Sequence, residues 1–172
     1  IAFSDFMETA LYGPGGFFTA GRGPGRSDGD FLTSPRTGSL FGMLVARALD
    51  HWWTGLDEPD PFFVVDAGAG DGQLARDVLR ATPTCSPALR YVLVERSEEV
   101  RAGHSEALRL EPSGDVFGSF VVDEWDDTAE PAPRQGPIVT SLSDLPAGPL
   151  TGVVFANELL DNIPFDIVER AG

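Results

Sequence analysis

One stretch constrains the fold of this 172-residue chain more than any other: Val64 to Leu74, which reads VVDAGAGDGQL. An apolar run, PFFVV, leads into Asp66 and then into the alternating glycines Gly68, Gly70 and Gly72. Because glycine has no Cβ and tolerates positive φ, such a loop can turn sharply and let a ligand contact the backbone. A helix that begins just after the loop adds a partly positive amide end. This order of strand, loop and helix predicts the first βα turn of a nucleotide-binding α/β sheet.

The spacing of these glycines narrows the class of ligand. A dinucleotide fingerprint, G-x-G-x-x-G, that began at Gly68 would require glycine at position 73, where Gln73 stands. The pattern that does fit, Asp-x-Gly-x-Gly-x-Gly, resembles motif I of S-adenosylmethionine-dependent methyltransferases. An ordinary tight turn is the alternative for an isolated glycine loop. The rest of the sequence therefore has to decide between them.

Composition restricts the partners. The chain carries 27 acidic and 12 basic side chains, for a net charge of −15. Binding to phosphates needs a basic surface, so nucleic acid is not an expected partner. The acidity either suits a cationic target, such as an arginine-bearing protein segment, or only keeps the protein soluble. No apolar run approaches membrane-spanning length, so no membrane association is expected.

Cysteine and histidine usage bears on redox compartment and metal binding. A single cysteine, Cys85, excludes an internal disulfide framework and predicts a reducing, cytoplasmic location. Cys85, His51 and His104 are too scattered to form a metal site, so no metal is predicted. We expect Cys85 to lie in a loop or in the packing, and both histidines to lie on helix surfaces.

Strand–helix alternation over residues 61–172 predicts an α/β, Rossmann-like sheet, mostly parallel, with helices on both faces. The strand candidates are PFFVVDAG, RYVLVE, PIVTSLSDLP, GVVFANELLD (ending at Asn157) and, after Pro164, FDIVER. VFGSFVVDEW has some strand character, but residues 113–136 otherwise read as an exposed loop or insertion. A methyltransferase sheet has about seven strands and roughly four or five are found, so the chain is expected to be the N-terminal part of a longer protein. The core is thus expected to be incomplete at its C-terminus.

Residues 1–60 are expected to form a helical and glycine-rich segment that covers the cofactor and substrate. A short helix is predicted from Phe3 to Tyr12, then a loop from Gly13 to Gly29, then a helix capped by Ser34-Pro35. The second helix of the core is predicted from its N-cap Ser97 to Leu110. The long helix after Ser34 should pack on the sheet through a shared apolar face: Leu40, Phe41, Leu44, Val45, Ala48, Leu49 and Trp52.

Ligands of such sheets bind beyond the carboxyl ends of the strands. Glu95 closes the second strand about 25 residues after the glycine loop, near the interval at which an acid takes ribose hydroxyls. A solvated acid at a strand end is the alternative reading. Asn157, Glu158 and Asp161 follow the fourth strand in the same way. The sequence therefore predicts three sets of site residues along one edge of the sheet.

Five segments occur in order and at fitting separations: FMETALYGPGGFF, GDFLTSPRTGSLFG, VVDAGAGDGQLARDVL, YVLVERSEEVR and FANELLDNIP. With these segments the chain resembles the MidA-like family of S-adenosylmethionine-dependent methyltransferases, which includes the mitochondrial complex I assembly factor that dimethylates an arginine. The resemblance implies S-adenosylmethionine as cofactor, S-adenosylhomocysteine as product and a protein substrate, a respiratory-complex-like subunit among the candidates.

The resemblance also implies a role for each motif residue. Asp66 and the loop from Gly68 to Gly72 would hold the methionine end of the cofactor. Glu95 would take the ribose hydroxyls, with Arg96 and Ser97 beside the adenosine. From the N-terminal side the cofactor would be covered by five residues: Gly29, Asp30, Phe31, Thr33 and Ser34. A structural turn and helix cap is the alternative for this last group.

The expected reaction is in-line displacement at the sulfonium methyl group, with the protein mainly supplying alignment. If the acceptor is arginine, Glu158 and Asp161 are the candidates to grip its guanidinium, and Asn157 would hold the acceptor or the cofactor amine. Asp161 could instead cap the next helix. Two other functions stay open: an assembly or chaperone-like factor that docks through Phe3, Phe6, Phe17 and Phe18, and, less favoured, a dinucleotide-dependent oxidoreductase. The oligomeric state is left open.

Overall fold

The computed structural model describes residues 1–19, 38–117 and 136–170. Four parallel strands in these ranges form one sheet in the order β3-β2-β1-β4. The strands are β1 (Phe62–Ala67), β2 (Leu89–Val94), β3 (Ile138–Leu142) and β4 (Gly152–Phe155). Every residue of β1 and β2 is buried, which explains why both read as continuous apolar runs. The structure therefore confirms the predicted parallel, Rossmann-like α/β sheet.

Helices cover both faces of this sheet. On one face α2 (Ser39–Gly55) and α3 (Gln73–Arg80) pack together over a core that includes Leu49, Val78 and Tyr91. On the other face α6 (Ser113–Phe117) packs Val116 and Phe117 against β1 and β2. Two short helices, α4 (Glu98–Ala102) and α5 (His104–Ala107), follow β2.

A helix at the start of the chain, α1 (Phe3–Tyr12), has no buried residue. The helix predicted from Phe3 to Tyr12 is confirmed with these same bounds. The proposed division of the chain near residue 60 stays a prediction. No helix in the described ranges is both long and apolar enough to cross a bilayer.

The buried face of α2 differs from the predicted one. Val45 and Leu49 are buried as expected, but Leu40 and Leu44 are 67% and 57% exposed. The helix is turned so that Gly42 faces α3, where a Cβ would lie 2.3 Å from the Cβ of Asp77. This close approach brings Gly42, Ala46 and Trp53 into the buried face. The predicted cap Ser34-Pro35 lies outside the described residues.

Two predicted element boundaries and one predicted strand are wrong. The helix expected from Ser97 to Leu110 is interrupted at Gly103, the residue type that most often ends a helix. β4 ends at Phe155 rather than at Asn157, because its partner β1 bends into the glycine loop directly afterwards. The segment FDIVER forms no strand. Asp166 in this segment accepts hydrogen bonds from the amide and the hydroxyl of Ser4 in α1.

Candidate functional site

The glycine loop joins β1 to α3 at the carboxyl edge of the sheet. The amides of Gly68 and Ala69 both donate to the carbonyl of Val94, at 2.9 and 3.0 Å, which ties the loop to the end of β2. Gly68, Gly70 and Gly72 all have positive φ, at +77°, +56° and +73°. This left-handed region is inexpensive only for glycine, so the local backbone explains the alternation in the sequence.

The surroundings of these glycines differ. A Cβ at Gly68 would lie 2.9 Å from Cδ1 of Leu159, whereas a Cβ at Gly70 would meet nothing within 4 Å. The positive φ favours glycine at position 68, and the flexible side chain of Leu159, after β4, lies against it. Gly70 instead borders open space, where a ligand can approach the backbone closely.

Glu95 follows β2 and lies beside this open space. Its Oε2 accepts a hydrogen bond from the amide of Gly70 at 3.1 Å, and its Oε1 accepts one from the amide of Ser97 at 2.8 Å. Each carboxylate oxygen keeps a further lone pair for another donor. The carboxylate is thus fixed in place with two acceptors available, which suits a vicinal diol. Ser97 is the N-cap of α4, as predicted, with its hydroxyl accepting from the amide of Val100.

Asp66 is the most buried acid of the site, with 3% of its surface exposed. Its Oδ2 accepts a hydrogen bond from the hydroxyl of Tyr91 at 3.1 Å. Burial raises the pKa of Asp66 to about 6; the Tyr91 hydrogen bond opposes this shift, and the nearby charge of Glu95 adds to it. Among the described residues no positively charged side chain lowers this pKa, so a cationic ligand group would stabilise the ionised form of Asp66.

His104 lies under the glycine loop. It is fully buried, so the prediction that it lies on a helix surface is wrong. Its Nε2 is 2.6 Å from the carbonyl oxygen of Gly70, and its Nδ1 is 2.8 Å from Oγ of Ser141 near the end of β3. The spacing of Val100, His104 and Leu108 at four-residue intervals could have placed this histidine on the inner side of a helical segment.

Helix α1 is fastened across the carboxyl edge of the sheet. Glu8 forms an ion pair with Arg96, just after β2, and the Arg96 guanidinium stacks over the ring of Tyr12 at 4.4 Å. The Tyr12 hydroxyl donates to the carbonyl of Asn162, beyond β4, at 2.8 Å. Since β1 lies between β2 and β4, α1 spans the two sides of the glycine loop. Sequence reasoning missed Glu8 and Tyr12, and it placed Arg96 beside the adenosine without this pairing.

The segment after β4 contains the three predicted catalytic residues. Asn157 is half-buried, while Glu158 and Asp161 are exposed. Glu158 has a positive φ of 52°, and its carbonyl accepts a hydrogen bond from the Asn162 side chain at 2.8 Å. A positive φ at a residue other than glycine or asparagine stores backbone strain, a feature that concentrates at functional sites. Because Leu159 packs on Gly68, the structure brings this segment and the glycine loop together.

Asp161 is part of a 3₁₀ turn, Leu160–Asn162, whose N-cap residue is Leu159. Its Oδ1 contacts the Asn162 side chain at 3.4 Å, so the alternative role as a helix N-cap is not what the structure shows here. The predicted cofactor-covering residues Asp30 and Thr33, with Gly29, Phe31 and Ser34, lie outside the described residues.

Two further expectations concern metal binding and Cys85. In the described part of the chain, no group of three or more metal-ligating side chains comes together. Cys85 is buried in the core, as expected, and burial raises the pKa of its thiol to about 12. The thiol is therefore an unreactive packing group.

These features define an α/β protein with a glycine-lined, carboxylate-flanked ligand site at the carboxyl edge of a parallel sheet. The chain belongs to the family described as "Putative S-adenosyl-L-methionine-dependent methyltransferase", which matches residues 44–172. This confirms the family predicted from the sequence motifs, and S-adenosylmethionine as the cofactor on which the family depends.

Relatives of known name and structure agree with this assignment. A crystal structure of a Burkholderia thailandensis protein bound to S-adenosyl-homocysteine is similar to 95% of this chain, with a TM-score of 0.64 and 30% identity. The Drosophila melanogaster "Protein arginine methyltransferase NDUFAF7 homolog, mitochondrial" is 38% identical over 80 residues. The Homo sapiens "Protein arginine methyltransferase NDUFAF7, mitochondrial" is 30% identical over 80 residues. The fly and human matches each cover 46% of this chain but only 18% of the relative's own length. This chain covers 38% of the Burkholderia thailandensis protein in the crystal structure.

Proposed function

We propose that this chain binds S-adenosylmethionine and belongs to an enzyme that methylates an arginine side chain of a protein. The observation that carries the cofactor part is the Glu95 carboxylate, held between the amides of Gly70 and Ser97 next to open space. The names of the fly and human relatives support arginine as the acceptor. A subunit of a respiratory complex is the finer proposal for the substrate, and it rests on the family resemblance alone.

The residues present fit the cofactor. Glu95 would accept hydrogen bonds from the ribose hydroxyls, and the open face of Gly70 leaves room for a ligand against the backbone. Asp66 is a buried acid that gains from a nearby positive charge, and the methionine end of S-adenosylmethionine carries a sulfonium and an ammonium group. Helix α1, fastened by Arg96 and Tyr12, would limit access of water from above.

When bound, S-adenosylmethionine supplies an activated methyl group, so the protein's task is alignment, which can contribute about 7–11 kcal/mol. An arginine acceptor is cationic and presents its N–H groups in a planar fork. Glu158 and Asp161 are the proposed carboxylates that would grip this fork and orient the attacking nitrogen. One of them would accept the proton that this nitrogen loses as it gains the methyl group, so that the product keeps a single positive charge. Asn157 is half-buried and lies in the sequence between β4 and Glu158. It is proposed to hold the acceptor or the cofactor amine.

The role of Glu158 can be tested by mass spectrometry. The wild type and Glu158→Gln are incubated with S-adenosylmethionine and arginine-containing candidate proteins, and methyl incorporation is measured. We expect a loss of about 10²-fold or more in the variant, since one charge-stabilising group is removed. Glu169→Gln, another exposed acid after β4, is the matched control and should retain wild-type incorporation. Full methylation by Glu158→Gln would exclude Glu158 as a catalytic residue.

A non-catalytic assembly factor is the second candidate function. The aromatic residues Phe3 and Phe6 of α1 are 40% and 60% exposed, as a docking surface requires. Binding of S-adenosylhomocysteine without methyl transfer to any partner would favour this function. The cytoplasmic location stays a proposal that rests on cysteine usage.

A further inference from the structure

We propose that His104 is a positioning residue for cofactor binding: it fixes the Gly70 backbone and, through it, the carboxylate of Glu95. The inference rests on the proposed function, because it concerns the same ligand site. It adds a residue that contacts the loop from below and does not itself face the open space above Gly70.

Gly70 is held from both sides of its Cα atom. Its amide donates to Oε2 of Glu95 at 3.1 Å, and its carbonyl oxygen lies 2.6 Å from Nε2 of His104. These two bonds fix the peptide groups that precede and follow Gly70, which among the three glycines of the loop is the one with an open outer face. Without the histidine, the Gly70 carbonyl would lose the donor that the described residues give it, while the preceding peptide would keep its bonds to Glu95 and Gly72. Movement of the glycine would then move the donor that positions the carboxylate.

The hydrogen-bond pattern assigns the tautomer of His104. A carbonyl oxygen can only accept, so Nε2 must carry a proton and donate to Gly70. In the neutral ring Nδ1 is then an acceptor, and the hydroxyl of Ser141 donates to it at 2.8 Å. Ser141 lies in β3, opposite Leu93 of β2, so the ring is oriented by the rigid sheet. His104 thereby connects the end of β3 to the glycine loop.

Packing alone does not explain a histidine at this position. The ring is fully buried and contributes to the wall beneath Gly72, together with Leu93 and Leu108. A leucine would fill this space equally well, and it would leave the Gly70 carbonyl without its donor. Both ring nitrogens of this buried histidine are hydrogen-bonded, one of them to the glycine loop. Such a fully hydrogen-bonded buried side chain can hold the backbone of the loop in one orientation.

Calorimetric titration with S-adenosylhomocysteine tests the proposal. His104→Leu removes the bond to Ser141 and the bond that the ring donates to Gly70, and loss of the latter should weaken binding about tenfold. His104→Gln should stay within about threefold of the wild type, because its amide can donate to Gly70 and accept from Ser141. His51→Gln, at an exposed position on α2, is the control and should bind as the wild type does. Wild-type affinity in His104→Leu would overturn the proposal.

A double-mutant cycle separates positioning from a general structural role. If His104 acts through Gly70 on Glu95, then Glu95→Gln combined with His104→Leu should lose less affinity than the product of the two single losses. A multiplicative loss would show that the two residues act independently and would overturn the route through Gly70. Should His104→Leu fail to fold, Ser141→Ala replaces it in the same cycle, since it releases the ring from β3.

Hydrogen exchange gives a readout that needs no ligand. In His104→Leu the Gly70 amide should exchange at least about tenfold faster, while the Gly68 amide, bonded to Val94, should be unchanged. Equal exchange at Gly70 in both proteins would overturn the proposal even if the cofactor does bind. If the wild type binds no S-adenosylhomocysteine but Gly70 exchange still depends on His104, the proposed function fails and the positioning of the loop stands.

Discussion

Replacing Asp66 by asparagine should separate stability from ligand binding. Burial raises the pKa of Asp66 from 3.8 to about 6. Between these values the folded protein holds a proton that the unfolded chain has released, so stability must fall as pH rises. A shift of about two units corresponds to about 3 kcal/mol, at 1.36 kcal/mol per unit. The wild type should lose this amount through Asp66, and Asp66→Asn should not, because an amide does not ionise in this range.

The assay is urea denaturation of both proteins between pH 4 and pH 8, followed by tryptophan fluorescence, for which the buried Trp53 is a suitable reporter. Asparagine can still accept from Tyr91, but its amide needs a partner, which adds an offset independent of pH. The informative quantity is therefore the change with pH of the difference in unfolding free energy. Because about 0.6 kcal/mol is already lost at pH 4, it should move by about 2.4 kcal/mol in favour of the variant across this range and level off above pH 7. A difference that does not vary with pH would refute the reasoning.

The same substitution should reduce affinity for S-adenosylhomocysteine. Its cationic ammonium favours the ionised form of Asp66, so wild-type affinity should fall as pH drops below about 6. In Asp66→Asn the affinity should be weaker at pH 8 and should show less of this pH dependence. Equal affinity of both proteins at pH 8 would remove Asp66 from the ligand site.

Two further substitutions test the loop and α1. Gly70→Ala and Gly148→Ala both place alanine at positive φ in open space, so each should cost about 1–2 kcal/mol of stability. In calorimetry, only Gly70→Ala should weaken S-adenosylhomocysteine binding, by at least about tenfold. Equal binding by the two variants would contradict a ligand over Gly70. Glu8→Gln removes the ion pair with Arg96, so hydrogen exchange within α1 should accelerate in a salt-sensitive way, whereas Asp5→Asn on the same helix should not accelerate it. Unchanged exchange in Glu8→Gln would mean that other contacts hold α1.

The sheet and its ligand edge could be predicted from the sequence because their signals are local. Buried parallel strands read as continuous apolar runs, and alternating glycines after such a run mark a loop with positive φ. Glu95 was found in the same way, as an acid directly after a strand. The structure adds that both its oxygens are already held by backbone amides.

The contacts of α1 and of His104 could not be predicted because they join distant parts of the chain. Glu8 and Arg96 are 88 residues apart, and Tyr12 and Asn162 are 150 residues apart, so no local pattern relates them. His104 was misplaced because a lone histidine in a polar helical segment is usually exposed. Gly103, which interrupts that segment, and the pairing with Ser141 of β3 appear only once the sheet is assembled.

The most direct test of the central claim is a calorimetric titration of the wild type and of Glu95→Gln with S-adenosylhomocysteine and, separately, with NADH. We predict that S-adenosylhomocysteine binds at one site per chain and NADH does not. Loss of a charge-assisted hydrogen bond in Glu95→Gln should weaken S-adenosylhomocysteine binding by roughly ten- to a hundredfold. Binding of NADH in preference, or S-adenosylhomocysteine affinity that is the same in both proteins, would contradict the account.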